Sequence, residues 1–486
     1  MRKINIKTTV VAMAIGATAM TGCSKFLDVN QNGNLPEKVD PNLILPTTEA
    51  TIAHVVGNNL HQYGSFWAQY FTQNPGSSQY KVLDQYMSVN SSFDRQWGLM
   101  YSSAMTDLKN IIKLSSENTD YRLYGAMANI MLAYDLQLLT DGFGDIPYTE
   151  AGQGSENITP KYESQKAIYD SIFSLIDKGI ASFAEGGVIT PKKEDLIFGG
   201  DINAWVAFAN TLKLRACMRL SYQPEAQEMV EAALQSLEGK TFLTQDAKIE
   251  YYAAGGFGNP FYEEMLGLGK TQNVVGSATV VNQLNANNDP RVGKFFQLNK
   301  DTVYMGIPQG SYNTTEEDPS FPTAAIAGDA QDINSATAPV KLMSASESYF
   351  LQAEAVARGL MSSGDAKDLF EKGIKASFDA YEVSSADAEA YLQNEPVAQF
   401  PTSDINAQVK AIITQKYFAM CGNQSFEAWT EWRRTGFPDF FVMSEVGSLG
   451  GKFPTRFLYP NNELVRNPNT PKGVSLSDKV WWDVKD

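Results

Sequence analysis

Along two long stretches of this chain, apolar residues return every three or four positions behind a residue able to cap a helix. Asp201 precedes Trp205, Phe208, Ala209, Leu212, Ala216 and Leu220, which share one face of a helix. Asp120 is placed to cap another reaching Leu139, with Leu123, Met127, Ile130, Tyr134 and Leu138 along one stripe. Gly125, Ala126, Ala128 and Ala133 on that helix are small enough for a second helix to come close. The same period predicts helices over 93–115, 164–184, 224–236, 344–359, 365–381, 404–420 and 424–434. Short polar links join consecutive members, so the helices are expected in pairs. In one pair Gly364 closes the first helix, and Ala366, Phe370 and Gly373 alternate small, large and small in the second. That spacing lets paired helices nest as in a tetratricopeptide unit. The expected class is all-α, a tetratricopeptide-like helical-repeat scaffold, although no fixed repeat length runs the whole chain.

Two regions break the pattern. Residues 240–335 are rich in Gly, Asn, Pro, Thr and Tyr, as in Gly255-Gly256-Phe257-Gly258-Asn259-Pro260 and Asn287-Asn288-Asp289-Pro290-Arg291. Residues 435–486 are similarly irregular. Long structured loops on a rigid scaffold are where binding concentrates, so the long irregular insertion at 240–335 is the expected working surface.

The amino terminus carries an address. Arg2, Lys3 and Lys7 precede an uncharged, mostly apolar run from Thr8 to Met20, and Thr21-Gly22 stand before Cys23. The run is too short to span a bilayer, which takes about 20 apolar residues. The ending resembles a bacterial lipobox, with Met20 in place of the usual Leu. The expectation is a lipoprotein signal peptide over 1–22, lipidation at Cys23, and a flexible lipid-anchored stalk over 23–43. The stalk reading rests on Asn30-Gln31-Asn32-Gly33-Asn34, Pro36 and Pro41. Residues 44–486 form the body.

The remaining chemistry is sparse. The chain has 486 residues and a net charge of −16, which repels nucleic acid and anionic headgroups. Membrane attachment is therefore expected from acyl chains. Beyond Cys23 only Cys217 and Cys421 remain, both in apolar helical contexts; buried free thiols are the favoured reading and a disulfide the alternative. The two histidines, His54 and His61, are poorly spaced for a shared metal and unsuited to a catalytic triad. There is no nucleophile elbow, phosphate loop or dinucleotide fingerprint. Asp141-Gly142-Phe143-Gly144-Asp145 lacks the spacing of an EF-hand and reads as a helix terminator, with Asp145-Ile146-Pro147-Tyr148 turning the chain. No metal, cofactor or catalytic residue is expected. Paired carboxylates of a glycoside hydrolase remain the alternative, since spacing in sequence does not exclude them.

Several segments together resemble the SusD/RagB-like nutrient-binding outer-membrane lipoproteins, especially their second SusD-like branch. They are Cys23-Ser24-Lys25-Phe26-Leu27-Asp28-Val29-Asn30, Asp141 to Ala151, and Gly200-Asp201 leading through Trp205 to Leu212-Lys213-Leu214-Arg215. Glu427-Ala428-Trp429, Glu431-Trp432-Arg433-Arg434-Thr435-Gly436 and Arg456-Phe457-Leu458-Tyr459-Pro460 complete the set. The resemblance implies a non-catalytic lipoprotein, lipid-anchored in the outer membrane and facing the cell exterior. Such a protein captures oligosaccharides or peptides as a hinged lid over a TonB-dependent, SusC-like barrel transporter. Members displayed on the surface usually carry acidic residues just after the cysteine; here Lys25 intervenes and Asp28 is the first acid.

Sugars stack their C–H faces on aromatic rings and take hydrogen bonds from amides. The candidate platform is Phe257, Tyr262, Tyr304, Tyr312 and Phe321 of the insertion, with Tyr80 and Tyr86 from an earlier loop. Asn259, Gln309 and Asn313 are the candidate amides. Trp205, Trp429 and Trp432 have core spacing and are expected to pack; Arg433 and Arg434 are expected to pair with acids. None of the seven tryptophans lies within 240–335, where glycan-binding relatives often place one. A tyrosine-and-amide surface suits a peptide equally well, and the sequence leaves that choice open.

Overall fold

The computed structural model describes residues 39–402 and 404–485. The signal 1–22, Cys23 and most of the stalk lie outside the described residues. Helix α1 (Pro41–Val55) starts before the expected end of the stalk at 43. Proline at a first helical position loses no hydrogen bond, and Ile44, Leu45 and Ile52 are buried, so packing sets the boundary. Through a π-helical turn at Val56–Leu60, α1 continues into α2 (His61–Trp67). That turn rotates His61 off the face His54 occupies. His54 is half-buried beside Arg95, whereas His61 is buried edge-on to Phe261, and burial pulls its imidazole down to about 4.

After the short strand β1 (Phe71–Gln73), the helical run expected over 93–115 ends in α3 (Thr106–Glu117). Helix α4 (Arg122–Phe143) begins later than expected. Asp120 does not cap it; Asp120 sits in a 3₁₀ turn, where the Asn118 side chain accepts from its backbone N–H. The helix runs past Leu139 and stops at Gly144, whose φ of +86° suits glycine and whose N–H donates to the Thr140 carbonyl. The expected terminator is therefore borne out. Next come α5 (Gln165–Glu185), capped by Ser164, and α6 (Ile202–Leu220), where Asp201 accepts from the N–H groups of Asn203 and Ala204 as expected. Helix α7 (Gln227–Leu237) follows.

The insertion is not uniformly irregular. Strand β2 (Ala247–Ile249) pairs antiparallel with β4 (Val340–Met343), forming a neck through which the chain leaves and returns. Between them β3 (Val274–Gly276) pairs antiparallel with β1, tying the insertion to the loop after α2. Short helices at Pro260–Gly267 and Ala278–Ala286 are capped by Asn259 and Ser277. The chain then returns to helices α8 (Ala345–Ala357), α9 (Ala366–Ala380), α10 (Ile405–Ala419) and α11 (Ser425–Thr435). Gly373 of α9 lies against Phe350 of α8, where an added Cβ would sit 2.7 Å from the ring. The nesting read from Ala366, Phe370 and Gly373 is met at Gly373 and at Phe370, whose ring meets Phe350 edge-on at 6.1 Å, while Ala366 is half-buried. The all-α, tetratricopeptide-like class stands.

A buried charge network bolts the first helical half to the second. Arg219 of α6 reaches Asp141 of α4 at 3.1 Å, and Glu427 and Glu431 of α11 at 2.5 and 2.7 Å. Lys416 of α10 approaches Glu431 at 3.2 Å, and Arg434 of α11 pairs with Glu354 of α8 at 2.6 Å. Although burial pushes Glu431 up, Arg434, Lys416 and Arg219 hold it well below the usual carboxylate range. Leaving one such buried charge unpaired costs about 3–5 kcal/mol, so the network fixes how the helices align. Arg433 differs from the acid pairing expected of it: it donates to the carbonyls of Asp141 and Thr455 and lies over Trp429. Trp205 and Trp429 are fully buried, and half-buried Trp432 stacks on Phe441, all packing as expected. Cys217 and Cys421 are buried free thiols.

Candidate ligand surface

Beside β1 a short helix, Lys81–Asp84, turns the chain so that Asp84 points inward. It is fully buried: Oδ2 accepts from the Thr72 hydroxyl at 2.8 Å and the Gln73 N–H at 2.9 Å, and Oδ1 from Gln309 Nε2 at 2.6 Å. Burial pushes the Asp84 carboxyl up to about 7 against these donors. The Gln309 amide nitrogen is fully spent, since Nε2 also donates to the carbonyls of Phe66 and Phe71, whereas its Oε1 is buried without a donor among the described residues. Asp84 thereby clamps the loop after β1 to residues 309–313.

Four of the predicted residues meet around this clamp. The Tyr80 hydroxyl donates to Glu264 at 2.8 Å, and Tyr312 accepts from Gln85 at 3.0 Å while Lys81 Nζ stands 4.9 Å over its ring. Tyr86 adopts φ +55° and its ring packs against Gly447, where a Cβ would come within 2.9 Å. A bulky residue at positive φ is costly and is held by its surroundings. With Gln309 these form a support rather than a platform: Tyr80, Tyr86 and Tyr312 are all buried. Burial raises each phenol, so all stay neutral.

The other candidates divide by exposure. Tyr262 is fully buried, and Asn259 is spent on the Phe261 N–H and the Ala338 carbonyl. Phe257, by contrast, is 68% exposed on a turn whose base is the Tyr252 N–H donating to the Phe257 carbonyl at 3.0 Å. Tyr252, absent from the sequence-based set, is 67% exposed on the same turn; the signal was its position before Gly255-Gly256. Phe321 is 40% exposed and its carbonyl accepts from Gln297. Half-buried Tyr304 lies near it, because the neighbouring Ser320 and Met305 are hydrogen-bonded. Asn313 is exposed beside Tyr312. The exposed rings are therefore Tyr252, Phe257 and Phe321, whereas Tyr304 packs against the core with its hydroxyl at Gly293.

The carboxyls that burial pushes furthest up, Glu49 and Asp135 among them, are sealed in the core. Glu49 is pushed well up by burial and by neighbouring Asp195, but both are buried and Asp195 accepts from the N–H groups of Ile197, Phe198 and Gly200. Among the described residues, no group of three or more His, Cys, Asp and Glu side chains is placed to hold a metal ion. No helix of the described residues is long and apolar enough to cross a membrane.

A helical-pair scaffold with a looped insertion carrying exposed aromatics defines a class of surface-binding proteins, and comparison with known proteins places the chain within it. The SusD-like family model described as "Starch-binding associating with outer membrane" matches residues 33–460. The chain belongs to that SusD-like family. A solved chitin-binding protein is similar over 92% of this chain and 100% of its own, with 25% identity and a TM-score of 0.78. A chitin-binding SusD homologue from Flavobacterium johnsoniae covers 92% of this chain and 98% of its own, at 23% identity and a TM-score of 0.75. A SusD/RagB family protein from Bacteroides thetaiotaomicron gives 92%, 100%, 22% and 0.77 in the same order. No curated protein matches the chain.

Proposed function

We propose that this chain is a non-catalytic, outer-membrane lipoprotein that captures oligosaccharides and delivers them to a TonB-dependent, SusC-like barrel transporter. Lipidation at Cys23 anchors it facing the cell exterior. The observation that carries the reading is the set of exposed rings on the insertion, above all Phe257, while the carboxyls that burial pushes well up, Glu49 and Asp135, are sealed in the core. A pyranose stacks on such a face, and Asn313 is the candidate amide left exposed on the insertion. The chitin-binding names of two structural relatives make chito-oligosaccharides the first ligands to test, ahead of peptides.

Phe257→Ala and Phe321→Ala test the platform. Phe257 is largely in solvent and Phe321 partly so, so Phe257→Ala should melt like the parent protein and Phe321→Ala close to it. Binding of the preferred oligosaccharide, followed by calorimetry, should weaken at least tenfold in one or both. Full affinity in the double variant would remove these rings from the site.

A further inference from the structure

The helical half holds a second opening, distant in sequence from the insertion. Helices α3 and α5 both pack on α4, and between them lies a groove of about 480 Å³ with α4 as its floor. Small-ligand sites commonly span roughly 300–1,000 Å³. Gly125 sets the depth: a Cβ there would come within 2.1 Å of the Ser115 hydroxyl, so α3 and α4 touch at the floor. The chain as a whole carries 55 acids against 39 bases, yet the groove is lined by Lys109, Arg122 and Lys178 and by no carboxylate.

The three cations are not equally spent. Arg122 pairs with Glu185 at 3.3 Å and donates to the Gly186 carbonyl. Lys109 donates to the carbonyls of Tyr148 and Ala151 at 2.5 and 2.9 Å, which leaves one of its protons. Burial pulls this amine down to about 8, partly offset by Glu163. Lys178 is exposed and has no ion-pair partner among the described residues. On the floor Asn129 is 8% exposed; its Nδ2 donates to the Gly125 carbonyl at 2.7 Å. Asn129 lines the groove, and its Oδ1 has no donor among the described residues.

We propose that this groove binds a short acidic peptide through its carboxylates. Lys178 and Lys109 take the carboxylate charge, Asn129 Oδ1 takes a peptide N–H, and Ile112, Leu132 and Leu175 receive an aliphatic side chain. An acidic sugar fits less well, because the one aromatic face lining the groove, that of Tyr148, is covered by Lys109 Nζ at 4.7 Å from its centroid.

Fluorescence polarisation on the full chain tests the assignment. The probe is a labelled peptide of alternating aspartate and leucine with a free terminal carboxylate; its amidated asparagine counterpart is the control. The acidic peptide should bind, more weakly as salt rises, and the control should not. Lys178→Glu should weaken binding at least tenfold, whereas Lys367→Glu, the same charge change on the exposed face of α9, should leave it unchanged. Equal weakening by both variants, no binding of the acidic peptide, or preferential binding of oligoglucuronate would each overturn the proposal. Oligosaccharide capture at the insertion uses other residues and another ligand, so the two readings fail separately.

Discussion

Asp84 shows how much one side chain decides at the insertion's edge. Three donors converge on its carboxyl, yet complete burial still pushes it up to about 7. An unfolded aspartate titrates near 4, so the folded state keeps a proton that the unfolded chain has released. Asp84's contribution to stability is then full below about pH 4 and lost as pH rises through about 7. Asp84→Asn has nearly the same shape and does not titrate. It should flatten the fall in unfolding free energy between pH 4 and 7.5, measured by urea denaturation. Below about pH 4, where Asp84 is protonated folded and unfolded alike, it should cost about 1–3 kcal/mol, because an amide nitrogen faces donors the carboxyl had satisfied, and the cost should shrink as pH rises. An unchanged pH slope would mean that another group titrates there. The sequence hides this residue, since a lone aspartate in Lys81-Val82-Leu83-Asp84 carries no local mark of its burial. The same blindness affects Tyr80, Tyr86, Tyr262 and Tyr312. A tyrosine in a loop looks alike whether it meets ligand or packs, and the structure packs all four.

At the scale of elements, caps were the legible signal. Ser164, Asp201, Ser344, Asp365 and Asp404 each stand before an apolar period, and each side chain accepts from the first turn of its helix. Asp120 misled because Asn118, two residues earlier, caps a 3₁₀ turn first. The short helices at Pro260–Gly267, Ala278–Ala286 and Ser385–Asn394 went unread for a related reason. They are too short for a clear period, and their caps (Asn259, Ser277 and Ser384) sit in stretches that look like turns. The α8–α9 pair gives the sharpest test of helix nesting. In Gly373→Ala the new methyl would meet three Phe350 ring atoms at 2.7–2.9 Å. Overpacking of this kind costs about 1–3 kcal/mol, so the melting temperature should drop. Adding Phe350→Leu should recover part of the loss. An unaltered melt in Gly373→Ala would show that the helices separate freely at this contact.

Over the whole molecule, a rigid helical body presents a looped insertion held at two places. The β2–β4 neck closes its base and the β1–β3 pair ties it to the loop after α2. Arg219 bolts the first helical half to the second through carboxylates of α4 and α11, and Arg434 ties α11 to α8. That division of labour was visible in sequence as a switch from helical period to Gly-, Asn- and Tyr-rich composition at 240–335. The groove over α4 was not, because Lys109, Asn129 and Lys178 come from three helices whose neighbourhood no local pattern reveals. The central claim is capture without chemistry. Its most direct test is calorimetric titration with chito- and malto-oligosaccharides while new reducing ends are assayed in the same samples. The account predicts saturable heat with one saccharide class and no new reducing ends over hours. Release of reducing ends from any member, abolished on heating the protein, would contradict it and make the chain an enzyme.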